Sequence, residues 1–467
     1  MNDTVRSQRF DEYVARPRRA LWVMALPVMA GMSIHTFYMI ADMIFVGRLG
    51  PEALAAVSFN MPLVFLGIGV TFGLGSGVTA VIAHAIGAQD KVGADRSAEH
   101  AVGLGAFVAI LFTVAGFLWG RGLLTTLGAP PELLDQAWEY CQIMVAGFSF
   151  LVMSVFFRSI LSGEGDVRVP MMIQGGGTLL NVILDPLLIF GLDLGIRGAA
   201  LATVISQGAA AAAFVYLLFF KEHSYVTFDL RHFRFSSAIL GGIFRIGAPA
   251  SFSFLLLAIG GAVFNRILVT YSGNAVAAYQ VGGRVDHVVL LPLIAISASL
   301  LTLVGMFHGA QREELVRELV SYALRCSVGI AVALGLLFFA IAPQFVAMFS
   351  QNEEIREIGT AYVRIGVLGY PFIALAMPIG RALQGLGLGV PMFVLTLLRT
   401  LLISAPLAAF CVYRLDKPIE WVWGSMVIGV ALSAGLAVLW LRWGLARAEK
   451  GGLVVAQPAE QPLASPS

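Results

Sequence analysis

The stretch from Leu26 to Leu54, LPVMAGMSIHTFYMIADMIFVGRLGPEAL, decides the fold. Between Leu26 and Val46 it carries no Lys or Arg and a single acid, Asp42. About 20 apolar residues suffice to cross the hydrocarbon core of a bilayer, and an acid within such a run is costly. Pro27 stands near its start, and Gly47-Arg48-Leu49-Gly50-Pro51 breaks it at the far end.

The rest of the chain has the same character. Of 467 residues 58% are hydrophobic and 12% charged, against about 25% charged in an ordinary soluble domain. Twelve apolar runs follow one another, from 20–46 and 53–86 to 389–412 and 420–444, with no polar segment long enough for a separate domain. The expected fold is an all-α polytopic membrane protein of twelve transmembrane helices. Its segments are an N-terminal stretch (1–19), a six-helix bundle (20–220), a connecting loop (221–239), a second six-helix bundle (240–445) and a disordered tail (446–467) rich in Pro, Ala, Gln and Ser. The apolar run after Arg6, Arg9, Arg16, Arg18 and Arg19 is far longer than a signal-peptide core and reads as a retained helix. Basic residues gather on one side of the spans, which places both termini in the cytoplasm. The net charge of +2 gives no support to nucleic-acid binding. Cys141, Cys326 and Cys411 lie within apolar runs, without the spacing of a metal or disulfide framework.

The two halves repeat. Pro27 matches Pro249 (249 − 27 = 222), Gly50 matches Gly273 (273 − 50 = 223) and Pro170 matches Pro391 (391 − 170 = 221). With six spans each, both copies enter from the same side, so the bundles are related by a pseudo-twofold axis along the membrane normal.

Polar residues within the spans gather at one depth of the first half. Asp42 lies near the outer end of the first span, Tyr38 one turn before it. Asn181 and Asp185 are four residues apart on the fifth span, hence on one helix face, with Tyr140 and Thr203 at similar depth on the fourth and sixth. Asn265 takes the place of Asp42 in the second half, and LLRTLLISAPL has no acid where the first half has NVILDPL. The physics points to a coupling-cation site at Asp42, Asp185, Asn181 and Thr203. A proton held between desolvated carboxylates, or a sodium ion held by these oxygens, relieves their repulsion. The plainer alternatives are an interfacial Asp42 and helix-packing roles for Asn181 and Thr203. Arg284, Asp286 and His287 face either a central cavity or a salt-bridged outer patch. His35 and His84 read as packed or interfacial, and Arg158, Arg266, Arg381 and Arg399 as snorkelling or paired across helices. The glycine strings GLGSG (73–77) and GLGLG (385–389) suit close helix packing and a short turn, since neither follows a strand as a phosphate loop would. The loop 221–239, KEHSYVTFDLRHFRFSSAI, suits a membrane interface or a plain linker. No catalytic constellation and no Walker motif occur, so no enzymatic activity and no cofactor are expected, and energy must come from a gradient.

These residues resemble the multidrug and toxic compound extrusion (MATE) family across roughly 15–445. The resemblance is carried by the Pro27–Asp42 helix with its VGRLGPEALAAV exit, by SGEGDVRVP and by NVILDPLLIFGLDLGIRGAALAT. It implies secondary active export of amphipathic, often cationic, organic compounds in exchange for protons or sodium, by a chain in a bacterial-type inner membrane that contacts lipid and acts as a monomer. Matching positions are Pro27 (helix bend), Tyr38 and Tyr140 (cavity support), and Asp42, Asn181, Asp185 and Thr203 (cation). PASFSFLLLAIGG and YPFIALAMPIG lack the acids of the NorM-like branch, which brings the chain nearer the DinF-like branch. A lipid-linked sugar or lipid flippase of the same superfamily, with fourteen helices, and a channel are the alternative functions.

Overall fold

A computed structural model describes residues 3–221, 223–229 and 233–451; the expected tail beyond 451 lies outside the described residues. Short α1 (Asp3–Ala15) precedes a first half of α2 (Pro17–Gly47), α3 (Pro51–Gly87), α4 (Lys91–Thr126), α5 (Pro131–Gly163), α6 (Arg168–Pro186) and α7 (Gly195–Val215). The second half comprises α8 (Ser237–Leu268), α9 (Gly273–Gly309), α10 (Glu313–Ala347), α11 (Glu353–Gly366), α12 (Tyr370–Gly385), α13 (Val390–Leu397), α14 (Ala405–Tyr413) and α15 (Glu420–Glu449). A 3₁₀ turn joins α11 to α12, and a π-helical turn over Leu398–Ser404 joins α13 to α14, so each pair makes one crossing. Among the described residues twelve helices are thus long and apolar enough to span a membrane, as the sequence implies. The chain differs from expectation at its end, where α15 continues to Glu449, past the start assigned to the tail.

Local sequence sets the helix starts. Pro17, Pro51 and Pro131 open α2, α3 and α5, where a missing N–H costs nothing. Asp90, Ser236, Ser272 and Asn352 cap α4, α8, α9 and α11 through their side-chain oxygens.

The repeat extends to the backbone. Left-handed φ values recur at Gln89 and Gln311 (311 − 89 = 222), at Gly165 and Gly387 (387 − 165 = 222), and at Asp193 and Asp416 (416 − 193 = 223). Such conformations are rare outside glycine, so their recurrence at one offset is a stronger mark of duplication than the apolar runs.

Both halves turn the same face toward α1, the end of α15 and the 221–236 connection, called here the terminal face. On that side they interlock, with α3 packed along α8 and α9, and α2 along α9. Glycines permit this. A Cβ on Gly73 would lie 2.3 Å from Ser251 N, and one on Gly77 2.3 Å from Ile243 O. The GLGSG string is therefore a close-packing surface. In the GLGLG string, Gly387 turns with φ 83°, and a Cβ on Gly389 would lie 2.4 Å from Arg245 O. At the ends of α3 and α9 the repeat meets itself, since a Cβ on Gly87 would lie 1.9 Å from Met306 O and one on Gly309 2.2 Å from His84 O. The rings of His84 and His308 meet edge to face there, with centroids 5.5 Å apart. Trp22 also donates to the Tyr322 hydroxyl across the halves at 3.0 Å.

The connection after α7 is neither a free linker nor an interfacial segment alone. Glu164 accepts from Ser224 Oγ and from the backbone N–H of Tyr225 (2.9 Å) and Val226 (3.1 Å). Asp95 accepts from Thr227 N and Oγ1, both at 2.8 Å, and Glu99 from Asp229 N at 3.0 Å. His100 donates from Nδ1 to Arg96 O and accepts at Nε2 from Ser236 N at 2.8 Å. The connection is thus held to the first half almost to the start of α8.

Candidate functional site

Of the sequence-predicted residues, the structure brings six together in the first half and away from the terminal face. Tyr38 and Asp42 come from α2, Tyr140 from α5, Asn181 and Asp185 from α6, and Thr203 from α7. The Tyr38 hydroxyl lies against Thr203, and Tyr38 and Tyr140 both lie within electrostatic reach of Asp42 and Asp185. Asn181 Nδ2 approaches Thr203 Oγ1 at 3.4 Å, and Thr203 donates to Ala199 O at 3.1 Å.

Local backbone chemistry aims Asp185 inward. Pro186 follows it, and the helix loosens into a π-helical turn over Leu187–Gly191. Gly198 lets α7 press on that turn, where a Cβ would lie 2.6 Å from Leu188 O. Asp185 is fully buried, and neither carboxylate oxygen has a hydrogen-bond partner among the described residues. The buried Asn181 Oδ1 is likewise without one. Asp42 is half-buried. Buried carboxylates are ordinarily paired or hydrogen-bonded, so these three oxygens beside a second carboxylate make a strongly electronegative cluster. Among the described residues no group of three or more His, Cys, Asp or Glu side chains forms a metal cluster. Two carboxylates with amide and hydroxyl oxygens instead suit a proton or a hard alkali cation.

Pro27 lies inside α2, which runs unbroken from Pro17 to Gly47. It leaves one backbone acceptor of that helix without its donor, the usual cause of a bend.

Other expectations resolve differently. Among the described residues Asp286 forms no salt bridge: it accepts from Tyr362, and from Tyr370 at 2.8 Å, while Arg284 lies over the Phe349 ring. His287 Nε2 stands 3.1 Å from Thr36 Oγ1 of the first half. Arg158 and Arg381 meet glutamines rather than acids, Gln174 at 3.2 Å and Gln384 at 3.0 Å. His84 is packed, against His308. All three cysteines are free, with Cys141 and Cys411 buried and Cys326 only partly so. Sequence reading missed Tyr362 and Tyr370 as partners of Asp286, and the meeting of Gly87 with Gly309; the latter was signalled by GAQ at 87–89 recurring at 309–311.

Comparison with known proteins agrees with this architecture. The MatE family matches twice, over residues 27–187 and 249–410, once in each half. The chain is 27% identical to a probable multidrug resistance protein NorM of Thermotoga maritima, over 93% of this chain and 94% of that protein. It is 28% identical to an FAD transporter of Shewanella oneidensis, over 85% and 88%. A solved multidrug-resistance MATE transporter of the MOP superfamily, in its outward-facing conformation, superposes with a TM-score of 0.89 at 31% identity, covering 93% of this chain and 97% of that one. With the family's pattern present in both halves and the whole architecture shared, this chain belongs to the MATE family of membrane transporters.

Proposed function

We propose that the chain is a secondary active exporter of amphipathic organic compounds that exchanges them for protons or sodium ions at Asp42 and Asp185, with Asn181 and Thr203 as further oxygens. One observation carries this reading: among the described residues the fully buried Asp185 carboxylate has no hydrogen-bond partner for either oxygen, and it lies beside Asp42. A cation entering from the side opposite the terminal face removes that like-charge strain. Its binding draws α2 and α6 together and changes the bend that Pro27 permits, which narrows the space between them and expels the compound. Unloading the cation on the terminal side resets the cycle. Tyr38 and Tyr140 line the space and carry hydroxyls toward both acids.

In this reading the terminal face is cytoplasmic, in keeping with its arginines, and the membrane is a bacterial inner membrane. A monomer suffices, because the twofold arrangement that rocking transporters use lies within one chain. The lack of acids in 249–261 and 370–380 supports a placement nearer the DinF-like branch. Twelve rather than fourteen spans speak against the flippase alternative. The names of the relatives range from multidrug resistance to FAD transport, so substrate class has to be sought in this chain's own interior.

The test is efflux in proteoliposomes with proton and sodium gradients imposed separately. Efflux is expected to follow one of the two and to vanish in Asp42→Asn and Asp185→Asn. Gradient-driven efflux that survives in either variant overturns the cation assignment.

A further inference from the structure

The first half holds a cation that its own residues do not neutralise. Arg158, near the terminal end of α5, forms no ion pair among the described residues. Its Nη1 donates to Gln174 Oε1 of α6 at 3.2 Å, and its guanidinium lies 4.7 Å from the Phe72 ring centroid. An amide oxygen and a ring face orient the charge without cancelling it.

This arginine does not reach back to the terminal interface. A Cβ on Gly163 would touch Ile82 and Thr79, and one on Gly75 lies 2.6 Å from Ser159 Oγ. The Arg158 backbone is therefore level with about Gly75 of α3. Phe72 is three residues, about 4.5 Å by helix rise, further from the terminal face. Side chains lean toward their helix N-terminus, and α5 starts on the opposite side, so the guanidinium points toward the middle of the membrane. Arg158 is only partly solvent-accessible.

The second half places an arginine at the matching position, there held by a glutamine of its own helix. Arg381 stands at 381 − 158 = 223, donates to Gln384 Oε1 at 3.0 Å and also lacks an ion pair among the described residues. Acids at Asp42 and Asp185 occur in one half only, whereas the unpaired arginine occurs in both. An intramembrane charge without a protein partner is expensive, and its default reading is function. A guanidinium with one donor engaged keeps a fork free for a planar or tetrahedral anion.

We propose that Arg158, oriented by Gln174 and Phe72, binds an anionic group, carboxylate or phosphate, of the transported compound. The proposal rests on the export reading above and extends it to substrate class. His35 lies within electrostatic reach of Arg158, and Asp42 is seven residues further along α2, about 10 Å by rise. Compounds that bear an anionic group at one end and a cationic group about that far away span both charges of the first half.

The experiment measures equilibrium binding to the full chain in phosphatidylcholine nanodiscs, without any gradient, so that its failure is distinguishable from a failure of coupled export. The probes are two matched pairs differing in the anionic group: ciprofloxacin with its methyl ester, and flavin mononucleotide with riboflavin. The parent protein is expected to prefer the anionic member in at least one pair. Arg158→Gln lowers that preference about tenfold, Arg158→Lys restores part of it, and Arg325→Gln on the outside of α10 leaves it unchanged. Equal affinity for acid and neutral partner in both pairs, or a preference that survives Arg158→Gln, overturns the proposal. Repeating the measurement with phosphatidylglycerol in the disc separates the sources of anion. A preference that persists supports a substrate site, and one abolished by that lipid assigns Arg158 to a headgroup and overturns the substrate assignment.

Discussion

The two halves each hold a carboxylate within a membrane-spanning helix, and they treat it in opposite ways. Asp286 in the second half accepts hydrogen bonds from Tyr362 and Tyr370, so both oxygens are engaged. Asp185 in the first half accepts none from the described residues and lies beside Asp42. A carboxylate held by two hydroxyls is a fixed part of α9–α12 packing, whereas an unpaired one suits the proposed cation exchange. Duplication supplied both halves with the same frame, and the difference between them lies in which acid was left unsatisfied.

That comparison can be broken most directly at Asp185. Asp185→Asn should uncouple transport. For a neutral compound exchanged with one cation, 100 mV is worth about 2.3 kcal/mol, so the steady-state compound gradient in proteoliposomes should fall about fiftyfold. The same substitution should leave thermal stability unchanged or raised, because it removes a buried unpaired charge. Asp286→Leu should do the reverse. It strands two buried hydroxyls and should lower unfolding stability by about 2–4 kcal/mol in a denaturation series, while cation dependence of efflux persists. If Asp286→Leu instead abolishes coupling, the halves do not divide the labour as their hydrogen bonds indicate.

The terminal face offers a milder test. Burial raises the Asp166 carboxyl, but the charge of Arg9 and hydrogen bonds from Arg9, the Val169 N–H and His223 outweigh it and hold the group below its ordinary value of 3.8. A depressed carboxyl stabilises the folded state above its unfolded value and loses that contribution as pH falls through the folded one. The hydrogen-exchange protection factors of residues 223–229, corrected for the intrinsic exchange rate, should therefore be flat above about pH 4 and fall below it, and Asp166→Asn should remove that pH dependence. The smallest effect belongs to Gly283, on α9 with nothing within 4 Å of a would-be Cβ. Gly283→Ala should stabilise by about 0.5–1 kcal/mol through chain entropy alone, a change visible only in the unfolding midpoint.

Spans, the duplication and the membership of the acid cluster were legible in the sequence because each depends on one-dimensional spacing. Asp42, Asn181, Asp185, Tyr38, Tyr140 and Thr203 could be placed at one depth by counting residues from helix ends. What could not be counted was rotation and neighbour identity. Asp286 read as facing a central cavity or as a member of a charged patch, in either case together with Arg284 and His287, because those residues are close in sequence, yet successive helical residues point about 100° apart. Its real partners come from either side of the break between α11 and α12. Arg158 read as snorkelling or paired because lone arginines at helix ends usually are. Only the position of Phe72 and Gln174 reveals that it turns inward. The connection 221–239 read as interfacial or plain, because its binding to Glu164, Asp95, Glu99 and His100 uses mainly backbone N–H groups, which leave no trace in residue type.

The meeting of Gly87 and Gly309 has a mechanical consequence. Side chains at an interface act as compressible padding and let two bodies drift apart by fractions of an ångström. Where the α3 and α9 ends meet, backbone rests on backbone, with a Met306 oxygen where a single methyl group on Gly87 would need to sit. Such a contact behaves as a latch rather than a spring: it is shut or it has let go, with little stable ground between. A transporter sealed in this way has few leaky intermediate postures on its terminal side, and the tightness of its seal is set by the absence of two side chains.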